Sequence, residues 1–116
     1  DIAADPWNAA HIINDLGGDG FDMVPFRQGF KSLSGPTKEL EKLVLGAQLA
    51  HGGNPVLRWC ASNVTVEIDP AENVKPSKKK STERIDGIVA SIMAIGRTME
   101  HEDTTSVYEG RDLLVL

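Results

Sequence analysis

Two carboxylates stand out by their local setting. Asp5 lies in "ADPWNA", at the end of a short apolar run and directly before a proline. Asp86 lies in "STERIDGIVASIMAIG", Ser81 to Gly96, one turn inside a segment with helical periodicity. There Ile85, Ile88, Val89 and Ile92 follow the i, i+3, i+4, i+7 spacing of one helical face. On that helix Asp86 falls at the rim of the apolar stripe, beside Met93. Carboxylates that converge repel, and each raises the other's pKa unless a cation intervenes. Hard oxygen ligands with open positions suit Mg²⁺ or Mn²⁺. Two such ions about 4 Å apart can clamp the attacking and leaving oxygens of a phosphodiester. Each residue also has a plainer reading. Asp before Pro is a helix N-cap signal, and a first-turn acid gains about 0.3–1 kcal/mol from the helix dipole. Sequence separation alone does not bring the two together.

Lys75, Lys78, Lys79, Lys80 and Arg84 form the one dense basic cluster, directly before Asp86. Such a cluster serves either as a solvated loop or as a grip on phosphates without base readout. His11, His51 and His101 have no ligand-like spacing to one another or to Cys60, which argues against zinc. Cys60 follows Trp59 in an apolar stretch and reads as a buried, inert thiol. Trp7 and Trp59 read as core residues rather than base-stacking platforms. Arg27 and Lys31, in "FRQGFK", read as solvated. The carboxylates of "DGFDM" lack the ordered spacing of a calcium loop.

The chain of 116 residues allows one domain with a real core. A net charge of −5 gives no global attraction to nucleic acid, so any such contact needs a local basic patch. The single cysteine permits no internal disulfide, which suits a reducing cytoplasm. No apolar run approaches the roughly 20 residues of a membrane span, and no signal peptide opens the chain. It begins without Met, in what reads as the interior of a strand, so we expect it to be cut from a longer protein.

The elements that must position these residues read as follows. A strand over 1–5 leads to a helix with Ala9, Ile12, Ile13 and Leu16 on one face, ended by Gly17-Gly18. Met23 to Phe26 is a short strand, limited by Pro25. "RQGFKSLSGP" reads as loop, and Pro36 opens a helix with Leu40, Leu43, Val44 and Ala47 on one face. A brief strand at 49–51 precedes a helix capped by Asn54-Pro55. Val64, Val66 and Ile68 alternate with polar residues, which predicts a strand with its apolar side buried. "DPAEN" is a turn, "VKPSKKKST" a mobile basic loop, and the Ser81–Gly96 helix follows. Strands alternating with helices predict an α/β layer with mainly parallel pairing, and ligands then sit at the carboxyl ends of the strands.

"NPVLRWCASNVTVEIDPAENVKPSKKKSTERIDGIVASIMAIGR", preceded by "ADPWNA" and "VPFRQGF", resembles the C-terminal nuclease domain of tailed-phage terminase large subunits. The likeness runs from about Ile2 to Arg97, with the segments in the family's order and spacing. It implies a ribonuclease H-like fold over 1–97, truncated at its N-terminal strands, and a C-terminal tail over 98–116. It further implies a two-metal endonuclease that cuts double-stranded DNA during genome packaging, in the cytoplasm of a bacterial host. By this resemblance Asp5 and Asp86 are the second and third acids of a carboxylate triad holding Mg²⁺ or Mn²⁺. The first acid would precede Asp1, so the isolated chain is expected to bind metal weakly and to cut poorly. The family's motor is absent, since no G-x-x-x-x-G-K-[ST] occurs. Implied partners are DNA, the portal protein and the terminase small subunit. The competing readings are a non-catalytic assembly module, with "DLLVL" as a docking tail, and another ribonuclease H-like enzyme such as a resolvase or transposase.

Overall fold

A computed structural model describes residues 1–7 and 9–115, with side chains as far as His101. The order is β1 (Ile2–Ala4), α1 (Ala10–Gly18), β2 (Met23–Pro25), α2 (Phe30–Leu45), α3 (Pro55–Asn63), β3 (Val66–Ile68), β4 (Val74–Pro76) and α4 (Asp86–Val115). The strands form two separate pairs. β1 and β2 are parallel, with Ile2 opposite Met23 and Ala4 opposite Pro25. β3 and β4 are antiparallel, with Glu67 opposite Lys75. The expected mainly parallel sheet is therefore met by one pair only, because the second connection is a tight hairpin that reverses the chain.

One core joins these pieces. Phe26, Leu33, Cys60, Ile85, Ile88, Val89, Ile92 and Met93 are buried together, with Ala3, Leu40, Leu57 and Val64 packed against them. The apolar stripe leading into and along α4 supplies five of those eight buried residues, so α4 is the axis of the fold. Its side without Cβ atoms is used as well. A β-carbon on Gly87 would meet Leu57 Cδ1 at 3.3 Å and Cys60 Sγ at 3.5 Å, so α3 lies close against the first turn of α4.

Several local expectations change. Helix α2 begins at Phe30, after Gly29 in extended conformation, and Pro36 lies inside it. Phe30, Leu33, Thr37, Leu40 and Val44 then share one face, and Leu33, Ser34 and Pro36 are buried. Tertiary packing outweighs the cost of the amide hydrogen that Pro36 cannot donate. No strand forms at 49–51. Strand β3 has its faces inverted: Val66 and Ile68 are 46% and 66% exposed, while Glu67 is half-buried. Helix α4 starts at Asp86 rather than Ser81 and continues past Gly96 through Val115. That range includes most of "DLLVL", which is helical there.

Candidate metal and phosphate site

Asp5 follows β1 in a turn. Its Oδ1 accepts a hydrogen bond from the Trp7 amide at 3.1 Å. It does not cap α1, which begins later, after Ala9, with no side-chain cap. Asp86 is the first residue of α4 and is exposed. Among the described residues no hydrogen bond or ion pair occupies its carboxylate.

Strand β1 is fixed against α4 at its start. Asp1 Oδ2 accepts from Arg97 Nη2 at 2.8 Å and from Nε at 3.2 Å. His101 Nε2 stands 2.9 Å from the same oxygen, and Arg97 also pairs with Glu100. Asp1, Ile2 and Ala3 line one side of the cleft between strand and helix; Ala90, Met93, Ala94, Arg97, Thr98 and His101 line the other. Ala3 packs against the core that α4 organises, and Asp5 follows at the carboxyl end of β1, beside Phe26, whose amide donates to the Ala4 carbonyl at 2.7 Å.

The basic cluster divides in two. Lys75 is on β4, half-buried, with Nζ 4.7 Å from the centre of the Phe30 ring. Lys78, Lys79 and Lys80 are exposed in the turn before α4. That turn is tied down by hydrogen bonds, against the expectation of a mobile loop. The Ser77 amide donates to the Thr65 carbonyl at 2.7 Å, and Ser77 Oγ accepts from the Lys80 amide at 3.0 Å. Ser81 Oγ donates to the Ser77 carbonyl and accepts from the Thr65 amide at 3.0 Å. Ser77 is fully buried. Serine and threonine spacing is the signal in the sequence, though it does not reveal which partners close the turn. Lys78, Ser81, Glu83, Arg84, Ile85 and Asp86 then line one polar recess of about 360 Å³. Asp86 and two cations thus open on the same surface.

The two carboxylates suit a hard divalent cation, which needs one or two carboxylates and fills its remaining positions with water. Among the described residues no group of three or more His, Cys, Asp or Glu is placed to hold a metal. His11 pairs with Asp15 at 3.2 Å, and His51 Nδ1 accepts from the Gly53 amide at 3.1 Å. Cys60 is free and buried, as expected. The tryptophans are not core residues: Trp7 is 79% and Trp59 46% exposed. Trp59 lies on α3, whose buried residues are Cys60 and Asn63. Arg27 and Lys31 are exposed, and no described helix is long and apolar enough to cross a membrane.

Residues 1–102 match the family model of the terminase large subunit, endonuclease domain. The chain is 40% identical over 106 residues to Protein YmfN of Escherichia coli strain K12, covering 88% of this chain and 23% of that protein. It is 40% identical over 97 residues to the terminase large subunit of Enterobacteria phage HK97, covering 82% of this chain and 19% of that protein. The crystal structure of the HK97 bacteriophage large terminase superposes with a TM-score of 0.74, over 82% of this chain and 20% of that one. The chain thus spans about a fifth of the length of the relatives it matches. It belongs to the endonuclease-domain family of terminase large subunits.

Proposed function

We propose that this chain contributes two carboxylates, Asp5 and Asp86, to a metal-dependent site that cuts double-stranded DNA during genome packaging. The observation that carries this reading is that Asp5 and Asp86 each keep a carboxylate oxygen without a partner among the described residues, at the ends of two elements, β1 and α4, that pack against each other. The family match supports the same assignment, and with it the reading of 1–97 as part of a ribonuclease H-like domain.

Asp5 and Asp86 would hold Mg²⁺ or Mn²⁺, two ions in a complete site, and such ions activate water and stabilise a leaving phosphodiester oxygen. The chain's own residues do the positioning. Trp7 holds one Asp5 oxygen and leaves the other for a ligand. Lys78, Lys79, Lys80 and Arg84 border Asp86 and attract backbone phosphate without reading bases. Lys75 adds charge from β4, although its ammonium lies over Phe30. Cleavage belongs to the intact parent, which supplies a further acid, and contacts to the portal protein and the small subunit also belong there.

One observation favours a second reading, an assembly module without chemistry. A groove of about 470 Å³ between α2, α3 and α4 is lined mainly by apolar side chains, Leu40, Val44, Leu45 and Leu57 among them. Calorimetric titration with Mn²⁺ separates the two. Binding that disappears in both Asp5→Asn and Asp86→Asn supports the metal site. Binding that survives both substitutions, or its absence even in a chain extended upstream, overturns it.

A further inference from the structure

Asn63 is the last residue of α3 and is 8% exposed. A buried amide must find partners, and this one finds them in the segment that leads into Asp86. Its Nδ2 donates to the Arg84 carbonyl at 3.1 Å. Its Oδ1 accepts from Thr82 Oγ1 at 3.4 Å. Its own carbonyl accepts from the Thr82 amide at 3.3 Å. One residue therefore holds the chain at 82 and at 84, two positions before Asp86.

The other side of Asp86 is equally constrained. Ile85 is 2% exposed in the core, and its carbonyl accepts from the Ile88 and Val89 amides at 3.0 and 3.1 Å. Gly87 lies against Leu57 and Cys60 of α3. The backbone is thus pinned at 84, 85 and 87, in each case by the core or by α3, while the Asp86 side chain stays in solvent. Asp86 needs this. Exposed and without a side-chain partner among the described residues, its carboxylate is located only by its backbone.

We propose that Asn63 is a positioning residue for Asp86, setting where the carboxylate stands by holding the Arg84 carbonyl and Thr82. This rests on the metal-site reading for its consequence, though not for its geometry. A group that orients a metal ligand without touching the metal changes affinity by about tenfold to a hundredfold when removed.

The test compares Asn63→Ala, Asn63→Ser and the neighbouring control Ser62→Ala by NMR without metal, then by Mn²⁺ titration. Both Asn63 variants should shift the amides of residues 84–87 and speed hydrogen exchange at Ile88 and Val89. Exchange at Ile92 and Met93 should stay as in the parent chain, and Ser62→Ala should leave all of these unchanged. Should Asn63→Ala fail to fold, Asn63→Ser, which keeps a short polar group, carries the comparison. Unmoved 84–87 amides in a folded Asn63 variant overturn the proposal. So does uniform loosening of the whole of α4, which would mark Asn63 as a general stability residue. In the Mn²⁺ arm, Asn63→Ala should weaken binding about tenfold or more, with Ser62→Ala unchanged. Mn²⁺ binding as tight in a folded Asn63→Ala as in the parent chain overturns the coupling to Asp86. Mn²⁺ binding that ignores Asp86→Asn defeats the metal-site reading instead, and the metal-free amide shifts still decide the geometry.

Discussion

Gly96 of α4 faces the ring of Phe26 so closely that a β-carbon at 96 would lie 2.6 Å from Cζ and 2.8 Å from Cε2. The same β-carbon would meet Pro36 Cγ at 3.0 Å. Helix α4 can lie on the Phe26–Pro36 surface only because residue 96 has no side chain. Gly96→Ala sets about 1 kcal/mol of helix propensity against overpacking of about 1–3 kcal/mol. Both neighbours are buried and rigid, so overpacking wins. Denaturant unfolding should show a net loss of up to about 2 kcal/mol. At Gly17 of α1 a β-carbon would meet nothing within 4 Å, and Gly17→Ala should instead raise the helicity of α1.

The β3–β4 turn depends on one ionised side chain. Asp69 Oδ1 accepts from the amides of Ala71 and Asn73 at 3.0 and 2.8 Å, and Oδ2 accepts from Asn73 Nδ2 at 3.1 Å. The Asn73 side-chain bond, helped by the backbone amides of Asn73 and Ala71, holds the Asp69 carboxyl below its ordinary pKa. A depressed folded-state pKa stabilises the turn above the unfolded value, and that contribution is lost as pH falls through the folded one. The amides of Ala71 and Asn73 should therefore titrate below the ordinary aspartate range, near pH 4. Asp69→Asn should abolish that transition. A transition at or above the ordinary range would contradict hydrogen bonding to the ionised carboxylate as the cause.

Helix α2 ends with Ala47 in the left-handed region, at φ 53°. The Gly46 and Ala47 amides return to the carbonyls of Lys42 and Val44, and the Gln48 amide to that of Leu43. Glycine is the usual residue at such a helix end, since a β-carbon there costs roughly 1 kcal/mol. Ala47→Gly should raise unfolding stability modestly, by about 0.5–1 kcal/mol. No change in denaturant unfolding would mean that the terminal turn of α2 opens before the core does.

The elements are most legible where one residue type has one conformational use. Asn54-Pro55 announces the start of α3, and Asn54 Oδ1 accepts from the Val56 and Leu57 amides at 2.9 and 3.1 Å. The apolar stripe of α4 gives most of the core. Legibility fails where context decides. Pro36 looks the same at a first helical position and in the second turn; burial of the preceding Leu33 makes the difference. The alternation of Val66, Glu67 and Ile68 gives a strand but not which side faces inward. Asp5 and Asp86 stand out as candidates by resemblance, and by the strand end and the stripe rim at which the sequence puts them. Asn63 is not, because a buried asparagine at a helix end carries no pattern of its own; its partners lie 19 and 21 residues on.

The lysines should separate by what holds them. Lys78, Lys79 and Lys80 are exposed, so their removal should leave folding nearly unchanged. If they contact phosphate, each releases about 0.9 counterion, and the triple alanine variant should flatten the slope of log affinity against log salt by up to about 3. Lys75 differs, being half-buried with its ammonium over Phe30. Lys75→Ala should lower stability by about 0.5–1 kcal/mol through the lost cation–π contact, and its effect on the salt slope should be smaller than one lysine's share. Fluorescence anisotropy with double-stranded DNA at several salt concentrations, beside denaturant melts of the same variants, measures both quantities. An unchanged slope in the triple variant would remove the loop from the DNA contact and leave it as a solvated turn.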